Sequence, residues 1–408
     1  MGSLFNSLKF YGPSLTLLGI TMMACFYVYS VMASLVSSLI TTQHMSHVTV
    51  GWLQVMFCVG STGPVLLAGR LADTKNTRRL GIFLGMAILS GTILAIIGVW
   101  YGQVFWGMAI SRLICGFAIE ALVVVIMTLI SSTLPTEIVP FALGINLAAG
   151  RFGSVLAHWS GAWTGTGPQA LWNASGSTVL VGFICVVAIS LYFQLCGVPN
   201  GELRAFKRLG GYYPRGLNVR FWTATSAAAA FYGAFYAFEV FSQHYLRTVI
   251  HISPTKSSYL TGLMLATSAL AAPLFARYAN TLRGRQVLMA SGGIGLTAGL
   301  IMIGMSTTAK ISSLSVAVGI VGLAGAAFPA AFWPHIVLLT PKDIKGIALA
   351  FVTVVQQTIT GIAILLFAYA ADKVQHNAAL AIGVCIGFSI LSVILLLTGR
   401  RKEENQIV

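Results

Sequence analysis

The chain has 408 residues, 57% of them hydrophobic and 8% charged, with a mean hydropathy of +0.87 and a formal charge of +15. A soluble domain carries roughly 25% charged residues, so water is not the main solvent of this chain, and an ordinary soluble enzyme or binding module is excluded. Within a hydrocarbon core every backbone polar group must be paired inside the segment, which excludes open sheets, and long unbroken apolar runs do not suit a barrel.

A membrane core about 30 Å thick takes roughly 20 apolar residues per helix. Apolar stretches divided at Gly, Pro and charged clusters predict spans near 14–40, 48–69, 80–100, 104–131, 137–161 and 176–197. Six more are predicted near 219–246, 256–278, 286–307, 311–339, 344–371 and 377–398. The first run continues past Leu39 with no small-residue cleavage site, so it is expected to be retained as a span. Between the sixth and seventh spans lies the most polar segment, with Glu202, Arg204, Lys207, Arg208, Arg215 and Arg220. The expectation is an all-α membrane protein of twelve transmembrane helices. It divides into an N-terminal bundle (1–198), a cytoplasmic linker (199–218) and a C-terminal bundle with a short tail (219–408).

Basic residues near helix ends favour the cytoplasmic side. Counted by loop, eighteen of the 24 Lys and Arg fall on the side of the two termini and four on the other, with Arg112 and Arg151 inside spans. Both termini are therefore expected in the cytoplasm of a cell (inner) membrane. The basic charge is topological, and nucleic acid is not an expected partner. Six cysteines, all in or beside apolar runs and without metal spacing, read as packing residues. No cofactor, metal cluster, nucleophile or phosphate-binding loop is visible, so enzymatic chemistry and ATP hydrolysis are not expected.

Charges inside spans cost roughly 2.5–3.5 kcal/mol each even on the lenient insertion scale, and they usually face a cavity or a partner. Glu120 in the fourth span and Arg151 in the fifth fall within about one helical turn of each other in depth. Two readings are open: a buried salt bridge that fixes packing, or a clamp in which Glu120 meets a solute ammonium and Arg151 its carboxylate. Arg112 lies nearer the outer end, as a gate or solute residue. Glu239 in the seventh span, followed by Gln243 and His244, is a proton-coupling candidate. Tyr29, Trp333, Gln356 and Gln357 are candidate cavity residues. His158 and His335 read as hydrogen-bonded structural histidines.

The loop Gly69-Arg70-Leu71-Ala72-Asp73-Thr74-Lys75-Asn76-Thr77-Arg78-Arg79 resembles the signature of the major facilitator superfamily, with Asn76 where the family has its second Gly. The resemblance implies two pseudo-symmetric six-helix bundles, a usually monomeric transporter, and a gating role for Gly69, Asp73 and Arg78. A degenerate echo at Arg277–Arg285, with Asn280 in place of the acid, points to an internal duplication with a solute site between the halves. Arg112-Leu113-Ile114-Cys115-Gly116 resembles a second motif of that family. Gly116–Glu120, Gly144–Ser154, Phe231–Phe241, Phe332-Trp333-Pro334 and Gly346–Gln357 resemble the branch that includes the animal lysosomal dipeptide transporter. That resemblance implies that Glu120 and Arg151 hold the termini of a peptide.

The sequence thus leads to a secondary transporter of a small zwitterionic solute, a short peptide or amino acid, with protons as a candidate coupling ion. A polycarboxylate siderophore or a nucleoside on the same fold is the alternative, and a transport-inactive receptor or assembly protein is the alternative of another class.

Overall fold

The computed structural model describes residues 2–72, 77–135, 138–165, 167–196, 217–306, 311–341, 344–373 and 379–404, without the side chains of 2–10, 64, 70, 72, 379 and 399–404. Most of the predicted linker, and Asp73 of the gating motif, lie outside the described residues.

Twelve α-helices follow one another in the described residues: α1 Gly2–Thr42, α2 His47–Ala72, α3 Thr77–Trp100, α4 Val104–Thr133, α5 Val139–Trp163 and α6 Pro168–Leu195. The second six are α7 Val219–Thr248, α8 Pro254–Tyr278, α9 Leu282–Gly304, α10 Ile311–Leu339, α11 Lys345–Lys373 and α12 Ala379–Glu404. An even number of crossings returns the chain to the face on which it began, called here the terminal face.

The packing repeats with a shift of six helices. In the first half α1 packs on α5 and α6, α2 on α4, and α3 on α4 and α6. In the second half α7 packs on α11 and α12, α8 on α10, and α9 on α10 and α12. The halves join chiefly through α2 with α11 and α5 with α8, two pairs related by the same shift. The close crossing of α2 and α4 needs glycine. A Cβ on Gly116 would lie 2.1 Å from Phe57 O, and one on Gly60 would lie 2.1 Å from Leu113 O.

Ten of the helices contain stretches long and apolar enough to cross a membrane among the described residues; α2 and α7 are not among them. For α7 the reason is its position. Every residue from Ala227 to Leu246 is buried, so no face meets lipid, and the helix tolerates Glu239, Gln243 and His244 on its way through the protein. The outer helices α3, α6, α9 and α12 carry the opposite pattern, with Phe83, Ile93, Phe183, Leu191, Val287, Ile294 and Ile394 exposed as a lipid-facing surface.

Candidate transport site between the two bundles

Arg151 on α5 is wholly buried, and none of its three guanidinium nitrogens has a hydrogen-bond partner. Its charge lies over aromatic faces from the other bundle, 4.7 Å from the Phe235 ring centre and 5.5 Å from that of Tyr236. Nη1 is 3.9 Å from Glu239 Oε2, which likewise has no hydrogen bond. The expected partner of Arg151, Glu120, is not within ion-pair distance. Glu120 instead accepts a 2.6 Å hydrogen bond from Gln357 Nε2 of α11. The reading of Glu120 and Arg151 as one buried salt bridge is thereby corrected: each turns to a different helix of the C-terminal bundle, Glu120 to Gln357 of α11 and Arg151 to Glu239 of α7.

The other oxygen of Glu239, Oε1, is well held. It accepts from Ser30 Oγ of α1 at 2.7 Å, and Ser30 Oγ is also 2.7 Å from Ser154 Oγ of α5. His158 Nε2 lies 3.5 Å from the same oxygen. Arg247 and Ser258 both donate to Gln243 Oε1, each at 3.1 Å, which turns the Gln243 amide nitrogen toward His158 Nδ1 at 3.0 Å. An imidazole that accepts at Nδ1 carries its proton at Nε2 when neutral, so His158 donates to Glu239.

Tyr29 sits edge-on to Tyr236 at 5.3 Å across the bundle boundary, and its buried hydroxyl is unpaired. Trp333 Nε1 donates to Tyr232 OH at 3.0 Å, and Tyr232 stacks on Tyr236 with centroids 5.6 Å apart. Gln357 Oε1 is buried and unpaired, and Gln356 is buried beside it on α11. The structure therefore collects Arg151, Glu239 and Tyr29 at the boundary, with Glu120 and Gln357 joined nearby.

Arg112 is elsewhere. It donates to the Val28 and Tyr29 carbonyls of α1 at 3.1 and 3.2 Å and to Gln54 of α2, and it lies 4.8 Å from the Phe57 ring centre. It ties α4 to α1 and α2 inside one bundle. Gly69 does reach the boundary: a Cβ there would lie 2.5 Å from Gly346 O of α11. Arg78 is exposed at the start of α3.

Sequence reasoning missed Ser30, Ser154, Tyr232, Tyr236, His47 and Asp372. At the face opposite the termini, Asp372 of α11 accepts from the backbone nitrogens of His47 and Val48, both at 2.9 Å, and so caps α2 from the other bundle. Asp372 is one of nine acidic residues in the chain, which was the available signal. Toward the terminal face a cavity of about 470 Å³ opens between the bundles, lined by Ser131, Val139 and Pro140 on one side and by Arg285, Pro334 and Lys345 on the other.

The major facilitator superfamily model matches residues 17–364. The chain belongs to that superfamily. Among solved structures, the human organic anion transporter MFSD10 (TETRAN) is similar at a TM-score of 0.75 and 13% identity, over 94% of this chain and 99% of that one. The proton:xylose symporter XylE bound to 6-bromo-6-deoxy-D-glucose has a TM-score of 0.74 and 15% identity, over 96% of both chains. A bacterial homologue of the iron transporter ferroportin in its outward-facing state has a TM-score of 0.69 and 14% identity, over 95% and 99%. At such identities the likeness is one of fold alone. No curated protein matches the sequence.

Proposed function

We propose that this superfamily member moves a small zwitterionic solute, an amino acid or short peptide, by alternating access, and that Arg151 holds the solute carboxylate. The observation that carries the reading is the fully buried guanidinium with no hydrogen bond on any nitrogen, placed where the two bundles meet. A buried guanidinium whose counter-charge is 3.9 Å away and makes no hydrogen bond to it keeps its donors unsatisfied, and a carboxylate offers the two oxygens that match the guanidinium fork.

Acceptors for the solute ammonium are at hand in Glu120, which is half-buried, and in the free Gln357 Oε1. Glu239 is the proposed proton-coupling group: a solute carboxylate on Arg151 takes over its counter-charge and leaves Glu239 free to bind a proton. A polycarboxylate is less well served, because Arg112, the second cation it would use, is engaged with α1 and α2. The loop charges support a cell (inner) membrane orientation with cytoplasmic termini, and the protein is taken as a monomer.

The test is thermal unfolding of purified protein against dipeptides, amino acids, hydroxycarboxylates and nucleosides. Solute at 100 times its dissociation constant stabilises by about 2.7 kcal/mol. Zwitterions should raise the midpoint for the unmodified protein and not for Arg151→Met. A shift given only by nucleosides, or one that persists undiminished in Arg151→Met, overturns the assignment.

A further inference from the structure

The outer seam holds a second polar cluster, separate from the central one, in which four side chains from four helices form one continuous chain. His47 Nδ1 of α2 lies 2.6 Å from Asp372 Oδ1 of α11. His47 Nε2 lies 2.9 Å from His244 Nε2 of α7, and His244 Nδ1 lies 3.3 Å from Ser37 Oγ of α1. Two of these helices belong to each bundle and they alternate, so the chain crosses the boundary three times. It closes the face opposite the termini, beside the contact of Gly51 with Ala368.

From this geometry we propose that the His47–His244 pair is a proton-operated latch: it holds the outer seam shut with no more than one added proton and releases it with two.

The argument is one of donors and acceptors. A carboxylate only accepts, so the neutral His47 carries its hydrogen on Nδ1 and its Nε2 is an acceptor. The neutral His244 then donates from Nε2 to His47, and its Nδ1 accepts from Ser37. One proton added to His47 gives an imidazolium paired with Asp372. Its new Nε2–H donates to His244, whose own hydrogen moves to Nδ1 and is given to Ser37 Oγ. Every contact survives. A second proton places hydrogens on both Nε2 atoms, which then face each other with like charge at 2.9 Å, and the contact is lost.

The surrounding charges do not remove this conflict. Asp372 is the acid in the cluster and already serves His47 and the α2 backbone. Arg247, one turn beyond His244, is committed to Ser257, Gln243 and Ser258 and adds positive charge. Lys373 follows Asp372 and lies 5.6 Å from the Tyr369 ring centre, and His44, before α2, is exposed. The latch does not depend on the identity of the solute.

The experiment is a spin-label distance measurement on the full chain in lipid nanodiscs. Labels are carried by Gln169→Cys on α6 and Lys256→Cys on α8, both exposed at this face and on opposite bundles. Unlabelled-site background is set by the protein without the two substitutions. Between pH 8 and pH 5 a longer distance should grow in, its ratio to the short one rising by about tenfold per pH unit at the steepest point, as one differential proton requires. His244→Gln should abolish that pH dependence, and His47→Gln should do the same, so that failure of one variant to fold leaves the other to decide. No pH-dependent distance in the unmodified protein, or the same dependence in His244→Gln and His47→Gln, overturns the latch.

Discussion

Gln357 Nε2 donates to Glu120 Oε1 across 2.6 Å, joining α11 of one bundle to α4 of the other. Interhelical hydrogen bonds in membrane proteins contribute about 0.6 kcal/mol on average and up to about 1.7 kcal/mol. Gln357→Leu should therefore lower stability by an amount in that range, measured by unfolding in mild detergent. Glu120→Gln keeps an oxygen acceptor at the same place and should cost less than Glu120→Leu. If the two Glu120 variants unfold alike, the bond contributes nothing to bundle closure.

Arg112 offers a sharper separation of packing from binding. Its three hydrogen bonds all end on α1 and α2 of its own bundle. At membrane values for each bond, Arg112→Met should lose about 2 kcal/mol. Arg112→Lys should recover little, since a point charge does not reproduce the fork. Solute-induced stabilisation, measured relative to each variant's own baseline, should be retained in both. Loss of that stabilisation with an intact fold would return Arg112 to the solute site.

The fold was legible because its determinants are one-dimensional. Apolar length, loop charge and the Gly69–Arg79 motif each fix a span or a face without reference to any distant residue. The predicted spans accordingly fall on α1 to α12, with the largest difference at α1, which begins at Gly2 and not near residue 14. The site was legible only in part. Depth along the membrane can be counted from sequence, and it put Glu120 and Arg151 at one level. Azimuth cannot, and it is azimuth that gives Arg151 to Glu239 and Glu120 to Gln357. Ser30 and Ser154 carried no signal, because a serine in a span usually bonds its own helix, as Ser34 does with Val31 O. Asp372 was hidden by its position at a helix end, where an acid needs no special explanation.

Glycine substitutions should separate tight crossings from loose ones. A Cβ on Gly116 meets backbone, Phe57 O at 2.1 Å, which no side-chain rotation relieves. Gly116→Ala is expected to destabilise by about 1–3 kcal/mol or more. Gly176, inside α6, has nothing within 4 Å of its Cβ position. Gly176→Ala should stabilise by about 0.5–1 kcal/mol through helix propensity. Equal effects at the two positions would mean that the α2–α4 crossing is looser than these distances.

The pair of Arg151 and Glu239 is best probed as a cycle. Arg151→Met alone leaves Glu239 buried without its counter-charge, and Glu239→Gln alone leaves Arg151 buried among aromatic rings. Removing one partner of a buried pair commonly costs about 3–5 kcal/mol. Here the charges are 3.9 Å apart with no hydrogen bond between them, so each single loss should lie at or below the lower end. The double variant removes both charges together while Ser30 still has an oxygen to meet at residue 239. It should be more stable than the sum of the two single losses predicts, with a coupling of about 1–3 kcal/mol. Strictly additive losses would show that the two groups do not sense each other, and that Arg151 is held by the aromatic faces of Phe235 and Tyr236 alone.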